Sequence, residues 1–375
     1  MLKRIYIDNF RTLVNFELNF DSINLFLGNN GSGKSTVFDV LQKIQTFVSG
    51  DKKLEGIFKL DDCTRWQKNP LQKFELEIDG NGGIYKYKLG IEINENDKRQ
   101  ILISYENLYY NEQALFKKND DKAIIYSDDF SVISDFPFSL RQSILTLITS
   151  DFNKTKITWF KERLERLFII QVLPYEMVDD SKQEETKLTS KMENFVSWYR
   201  YISQDQGKIT ELIPILQEVL EGFVSFKFEK LSAEHRSLIL RFSSEDDTKN
   251  IIDYRLSELS DGQKTLLALY TLLYCIKSED YALCIDEPEN FLALPEIQPW
   301  LMQLHDFCLE RKLQALLISH HPEFMNYLVA ANAAYWFECE SNAPTRVRKI
   351  SNEEAEDTGL KISELIARGW IYDQV

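Results

Sequence analysis

The sequence predicts an α/β fold, and three stretches of it carry that expectation. The apolar run Ile23-Asn-Leu-Phe-Leu27 passes through a glycine-rich turn into apolar residues at helical spacing: Val37, Val40, Leu41, Ile44 and Val48. From Phe74 to about Tyr110 the period switches to two, as in paired strands. After residue 250 the pattern alternates again, with a helix over 261–277, a strand over 281–285, a helix over 295–310 and a strand over 313–319.

The remaining elements follow in chain order. Leu2 to Ile7 and Leu13 to Phe20 read as paired strands, with Phe16, Leu18 and Phe20 on one face. In the meander, Phe74, Leu76 and Ile78 face one way. After the turn Asp79-Gly-Asn-Gly-Gly83, Tyr85, Tyr87, Leu89, Ile91 and Ile93 share a face. Residues 138 to 222 read mainly as helices, broken by a polar, mobile loop at Asp179-Asp-Ser-Lys-Gln-Glu-Glu-Thr186. A hairpin follows, from Phe223 to Phe228 and from Ser237 to Phe242. The last residues hold a strand pair (Tyr335, Trp336, Phe337; Val347, Ile350) and a helix from Ile362 to Ala367.

Composition excludes several classes. With 375 residues, 44% of them hydrophobic, and only 14 Gly and 9 Pro, the chain is globular and long enough for a sizeable core. The 44 Lys+Arg against 59 Asp+Glu give a net charge of −15, so any nucleic-acid contact needs a local basic patch. Five separated cysteines without a C-x-x-C pair read as buried thiols in a reducing compartment. The N-terminus develops no secretory h-region, and the longest apolar stretch, Thr265 to Ile276, is shorter than the roughly 20 residues that span a bilayer. A cytoplasmic protein with no membrane partner is expected.

The strongest chemical signal is Gly28-Asn29-Asn30-Gly31-Ser32-Gly33-Lys34-Ser35, which fits G-x-x-x-x-G-K-[ST]. A chance match in such a chain is on the order of a few in a thousand. Glycines let consecutive backbone N–H groups curl around phosphate oxygens, and the following helix aims its N-terminal dipole at the same anion. Asn29, Asn30, Gly31, Ser32, Gly33, Lys34, Ser35 and Thr36 are thus the expected set around a nucleotide's phosphates, which by itself leaves kinases, GTPases and ATPases open; that the nucleotide is ATP is what the family resemblance given below implies. Lys34 reaches the β- and γ-phosphates, and Ser35 ligates Mg²⁺. Tyr281-Ala-Leu-Cys-Ile285-Asp286-Glu287 is an apolar strand ending in two carboxylates. Asp286 is expected to hold the magnesium shell, and Glu287 to orient the attacking water.

Leu259-Ser260-Asp261-Gly262-Gln263 stands before an apolar helix and resembles the Leu-Ser-Gly-Gly-Gln signature of ABC-type ATPases, with Asp261 in place of the first glycine. Leu316-Leu-Ile-Ser319-His320-His321-Pro322 ends a strand in histidine, where that family carries a switch histidine. His320 aligns best, and His321 is the alternative. The opening Ile7-Asp-Asn-Phe-Arg11 and the stretches Glu287-Pro-Glu-Asn-Phe-Leu and Ser319-His-His-Pro-Glu-Phe resemble the SMC, RecF and OLD branch. Within it they resemble the AAA-15/AAA-21 group of OLD-family and bacterial anti-phage ATPases.

The resemblance implies a P-loop NTPase fold of the ABC-type ATPase head kind, with an antiparallel β meander and an inserted helical lobe. Residues 1–137 and 251–375 form the ATPase core, and 138–250 form the lobe and hairpin. It implies Glu287, His320 and Lys34 as catalytic residues, Ser260, Gly262 and Gln263 as nucleotide-binding residues, and an ATP-dependent head-to-tail homodimer, with higher oligomers left open. Gln142 is preferred over Gln67 as the glutamine that reports on the γ-phosphate, and Arg11 is as readily a surface residue as a nucleotide neighbour. A TOPRIM nuclease is not expected in the short stretch after His321, so the effector (nuclease, toxin or reverse transcriptase module) is expected on another polypeptide. The alternatives are a RecF-like repair ATPase that clamps DNA itself and a non-hydrolysing scaffold; a transport ATPase ranks last. Lys154, Lys156, Lys161, Arg163 and Arg166 surround Trp159 and Phe160 as a candidate nucleic-acid patch, but Glu162 and Glu165 favour an ordinary amphipathic helix.

Overall fold

Alternating apolar and polar residues bury one face of a strand, and the backbone groups between them need a neighbouring strand as hydrogen-bond partner. That pattern governs the opening of this chain. The structure is a computed structural model in which residues 1–93, 101–148, 154–243, 250–276, 280–350 and 359–368 are described. It divides into two compact units, Met1–Leu167 with Asn332–Asn352, and Phe168–Ala331 with Glu353–Val375.

The first unit begins with β1 (Leu2–Asp8), β2 (Phe16–Asn19) and β3 (Ile23–Gly28), followed by helices α1 (Lys34–Ser49) and α2 (Leu54–Ile57). Strands β4 (Leu71–Gly80), β5 (Gly83–Ile93), β6 (Ile101–Tyr110), β7 (Gln113–Asn119), β8 (Lys122–Tyr126) and β9 (Val132–Pro137) come next, and then helix α3 (Thr155–Glu165). These strands form an eight-stranded antiparallel sheet in the order β2-β1-β4-β5-β6-β7-β8-β9. The expected turn after β4 is a two-residue loop at Asn81 (φ 51°) and Gly82 (φ 78°), both in the left-handed region that such hairpins require.

The meander runs three strands further than the sequence suggested. The β6–β7 hairpin turns on Asn111 and Glu112, both at positive φ, without a glycine to mark it. Helix α3 packs on this sheet through its aromatics: Trp159 stacks on Tyr85 (4.9 Å between ring centres), and Phe160 is buried against Tyr85 and Tyr87.

The second unit opens with β10 (Leu167–Gln171), a correction to the expected helical block: four apolar residues in a row suit a strand as well as a buried helical piece, and here they lie beside a later strand. The polar break is likewise not all loop, since β11 (Asp180–Ser181) pairs with a later strand and buries Ser181. Helices α4 (Phe195–Ile202) and α5 (Gln206–Val219) precede β12 (Phe223–Lys230), β13 (Arg236–Ser243) and β14 (Ile251–Arg255). Strand β13 pairs with β12 on one edge and with β11 and β14 on the other, so the expected hairpin is part of a four-stranded sheet.

Helix α6 (Asp261–Ile276), β15 (Ala282–Asp286), α7 (Leu294–Leu309), β16 (Gln314–Ile318) and α8 (Pro322–Ala330) then appear nearly as expected; residue 277 lies outside the described residues. β15 and β16 are parallel neighbours, and β10 lies beside β15. All five residues of β16 are buried, as parallel strands covered on both faces demand. α7 buries Trp300, whose indole N–H donates to Leu269 O of α6 (3.2 Å).

The chain returns to the first unit with β17 (Ala334–Glu338), parallel to β3, and β18 (Arg346–Ile350), antiparallel to β17. Helix α9 (Ile362–Ala367) belongs to the second unit. Of the cysteines, Cys275, Cys284 and Cys308 are buried as expected, but Cys63 and Cys339 are half-exposed. No helix among the described residues is long and apolar enough to cross a membrane.

A buried polar cluster ties the meander to the segment after it. Glu106, fully buried on β6, accepts hydrogen bonds from Tyr87 Oη (2.9 Å), Ser143 Oγ (2.5 Å) and the Ile144 N–H (2.8 Å). Burial raises its carboxyl pKa, and the same cause pushes the equally buried Lys118 ammonium down to about 8. Lys118 Nζ donates to Gln142 O at 3.2 Å. Glu106→Ala leaves three donors unpaired at about 1–3 kcal/mol each, so urea unfolding should show a loss of about 3 kcal/mol or more, and Glu106→Gln a smaller loss.

Candidate phosphate-binding and acidic-strand site

The glycine loop is built by close backbone approach. Gly28 (φ 137°), Gly31 (φ 80°) and Gly33 (φ 100°) all occupy the left-handed side of backbone space. A Cβ on Gly28 would lie 2.2 Å from Phe337 O on β17, so no other residue fits at the end of β3. Nothing lies within 4 Å of a Cβ at Gly31, which faces open space at the tip of the loop.

Beyond the loop, α1 begins at Gly33 with no side-chain cap and no acidic residue in its first turn. No capping side chain or first-turn carboxylate therefore competes with an external anion at the positive end of its dipole. Lys34 is buried, and its ammonium donates to Gly28 O (2.7 Å) and Asn29 O (3.0 Å) across the loop. Asn29, Asn30, Gly31 and Ser35 are exposed, Thr36 is half-buried, and Ser32 and Gly33 are buried. The buried Ser32 hydroxyl has no hydrogen-bond partner among the described residues. An uncapped helix start and an orphaned hydroxyl both fit a phosphate ligand.

Thr345 braces this loop from the far end of the sequence. Its hydroxyl bonds the Ser32 carbonyl (3.0 Å) and Thr12 Oγ1 (2.8 Å), and its N–H donates to Thr12 O (2.9 Å). Sequence reasoning missed Thr345, because a contact spanning 313 positions leaves no local signal. Arg11 is committed to carboxylates: its guanidinium pairs with Asp39 (2.7 Å) and Asp62 (3.1 Å). Gln142 is exposed and lines a cavity of about 590 Å³ with Phe47, Lys53, Glu55 and Arg141, whereas Gln67 is half-buried.

The second unit carries the other predicted residues. Ser260 and Gln263 form a reciprocal capping box at the start of α6: the Ser260 N–H donates to Gln263 Oε1 (3.0 Å), and the Gln263 N–H donates to Ser260 Oγ (3.2 Å). Gly262 eases a close approach, since a Cβ there would stand 3.0 Å from Phe291 O. The signature start thus lies against the turn that follows the acidic strand.

Asp286 ends β15, half-buried. Glu287 adopts φ 51°, which costs a non-glycine residue about 1–2 kcal/mol, and its N–H donates to Ile318 O of β16 (2.8 Å). Glu287 Oε2 accepts from Asn290 Nδ2 (2.8 Å). Of the two histidines, His321 caps α8, its Nδ1 accepting from the Glu323 N–H (3.3 Å), while His320 is exposed at the strand end. Glu289 and Asn290 were visible in the motif text but had no assigned role; their side-chain bonds give them one.

The aromatic residues of the candidate basic patch are turned into the sheet, and Arg163 is buried with them, so α3 is an amphipathic helix with a charged outer face. Phe160 is buried and Trp159 is half-buried against Tyr85.

Comparisons with known proteins give the family and the fold. Residues 23–326 match the family model described as "AAA domain, putative AbiEii toxin, Type IV TA system" (AAA_21). Among solved structures, the chain is similar to the SMC head bound to the C-winged helix domain of ScpA, with a TM-score of 0.54 at 14% identity, covering 94% of this chain and 99% of that one. It also matches the SMC head domain from Thermotoga maritima, with a TM-score of 0.46 at 15% identity, covering 93% and 99%. The first shows a shared α/β ATPase-head fold. No curated protein matches.

The crowding at Gly28 yields a contrast between two glycines. Gly28→Ala should abolish ATP binding and lower the melting temperature, because its Cβ meets backbone. Gly31→Ala should cost only the strain of its positive φ, about 1–2 kcal/mol, as calorimetry of both variants can read.

Proposed function

This chain belongs to the AAA_21 family of P-loop ATPases, and from that membership we propose that it binds and hydrolyses ATP as a head-to-tail homodimer. The observation that carries the reading is the glycine loop ahead of the uncapped, acid-free start of α1. Asn29 to Thr36 cradle the phosphates, and Lys34 exchanges its two loop carbonyls for β- and γ-phosphate oxygens. Ser35 and Asp286 are the residues assigned to magnesium, which when bound neutralises phosphate charge.

Glu287 is assigned to orient the attacking water and accept its proton. Asn290 already occupies one carboxylate oxygen, which leaves the other for the water. His320 reads the γ-phosphate as an N–H donor. The Ser260 oxygen accepts from Gln263 within the capping box, so its own hydrogen is left to donate to the γ-phosphate of a nucleotide held by a second chain. Loss of that phosphate removes the cross-dimer bonds and lets the chains part.

In the cell we read the protein as the sensor or motor subunit of a DNA-linked, anti-phage complex whose effector is a separate polypeptide. The description of its family, with a putative toxin and a Type IV TA system, supports a two-component arrangement of that kind. The inward-turned aromatics of α3 weigh against the alternative in which this chain clamps DNA itself.

Mixing two inactive variants tests the shared site. Lys34→Ala spoils the loop and Ser260→Arg the signature, so a mixed dimer retains one intact site. Random pairing should restore about a quarter of wild-type ATP turnover. No recovery would refute the composite site.

A further inference from the structure

The turn after the acidic strand contains a carboxylate that the proposed hydrolysis does not use. Glu289 Oε1 accepts two hydrogen bonds from the end of β16, one from Ser319 Oγ (2.6 Å) and one from the His320 N–H (3.2 Å). Ser319 is fully buried, and its oxygen in turn accepts from the His321 N–H (3.0 Å). Glu289 Oε2 is also buried and has no hydrogen-bond partner among the described residues. Together with the bond from the Glu287 N–H to Ile318 O, the ends of two parallel strands are stapled at consecutive points.

We propose that Glu289 is a positioning residue that latches the His320 segment to the turn bearing Glu287, so that one short loop sets the placement of both. Asn290, next along that loop, holds the Glu287 carboxylate while Glu289 holds the histidine's backbone. A movement of His320 toward or away from a phosphate is thereby transmitted through the latch to Glu287. A carboxylate suits the task because two donors converge on one of its oxygens, and hydrogen bonds to a charged acceptor are the stronger ones. Burial raises its pKa, a cost that an apolar turn residue would avoid. The inference rests on the reading of Glu287 and His320 as hydrolytic residues, but the latch itself can be measured without turnover.

The test compares wild type, Glu289→Ala and Glu289→Gln by amide hydrogen exchange across residues 319–321, by binding of a fluorescent ATP analogue, and by steady-state ATP hydrolysis. In Glu289→Ala, exchange at the His320 amide should speed up about tenfold and kcat should fall about tenfold or more, the loss expected for one buried hydrogen-bonded contact. Nucleotide affinity should stay within about twofold of wild type. Glu289→Gln keeps an oxygen for the same two donors and should restore both quantities. Should Glu289→Ala fail to fold, Ser319→Ala removes one of the donors and takes its place, with the same expected directions.

Wild-type exchange and kcat in the alanine variant would overturn the latch. So would a fall in kcat matched by an equal loss of nucleotide affinity. A wild-type protein without turnover would sink the hydrolytic reading alone, and exchange at His320 would still decide whether Glu289 holds the segment.

Discussion

A helix whose first turn is closed by its own side chains cannot bind an anion there, and much of this molecule follows from leaving one helix start without a side-chain cap. At α1 there is no capping side chain and no acidic residue in the first turn, and the loop before it is held by close backbone packing together with the Lys34 and Thr345 side chains. Gly28 lets the end of β3 lie against the Phe337 carbonyl of β17, and Thr345 ties the Ser32 carbonyl back to the β17–β18 connection. By contrast, α6 and α8 are closed by Ser260 with Gln263 and by His321. Even there, the Ser260 hydroxyl hydrogen is left for another acceptor, which is why a capping serine and a trans-acting serine are compatible in one residue.

The second unit concentrates its chemistry in a few residues around one turn. Glu287, in a left-handed conformation, bonds to β16, Glu289 to the His320 segment and Asn290 to the Glu287 carboxylate, while the Phe291 carbonyl lies close against Gly262. A positive φ at a glutamate stores strain that the surrounding bonds must hold in place.

Much of the fold was legible in the sequence because its periodicities are strong. The strand, loop and helix at 23–48, the β4–β5 hairpin with its Asn81-Gly82 turn, and the alternation from α6 to β16 all carry local signals. Three features were not legible. β7 to β9 follow a turn at Asn111-Glu112 that has no glycine, β10 is too short to tell from a buried helical piece, and β11 is two polar residues recruited by β13. In the site, motif spacing pointed to the loop, the acidic pair and the histidines. It could not reveal Thr345, which arrives through tertiary structure alone, nor separate His320 from His321. In the structure His321 caps α8 and His320 is exposed, which supports the proposed assignment of His320.

The central claim is that nucleotide with an intact γ-phosphate joins two chains. The most direct measurement is the mass in solution of the Glu287→Gln protein by light scattering, with ATP and magnesium and then with ADP and magnesium. The account predicts the mass of two chains with ATP and of one chain with ADP. The same mass under both conditions would contradict it.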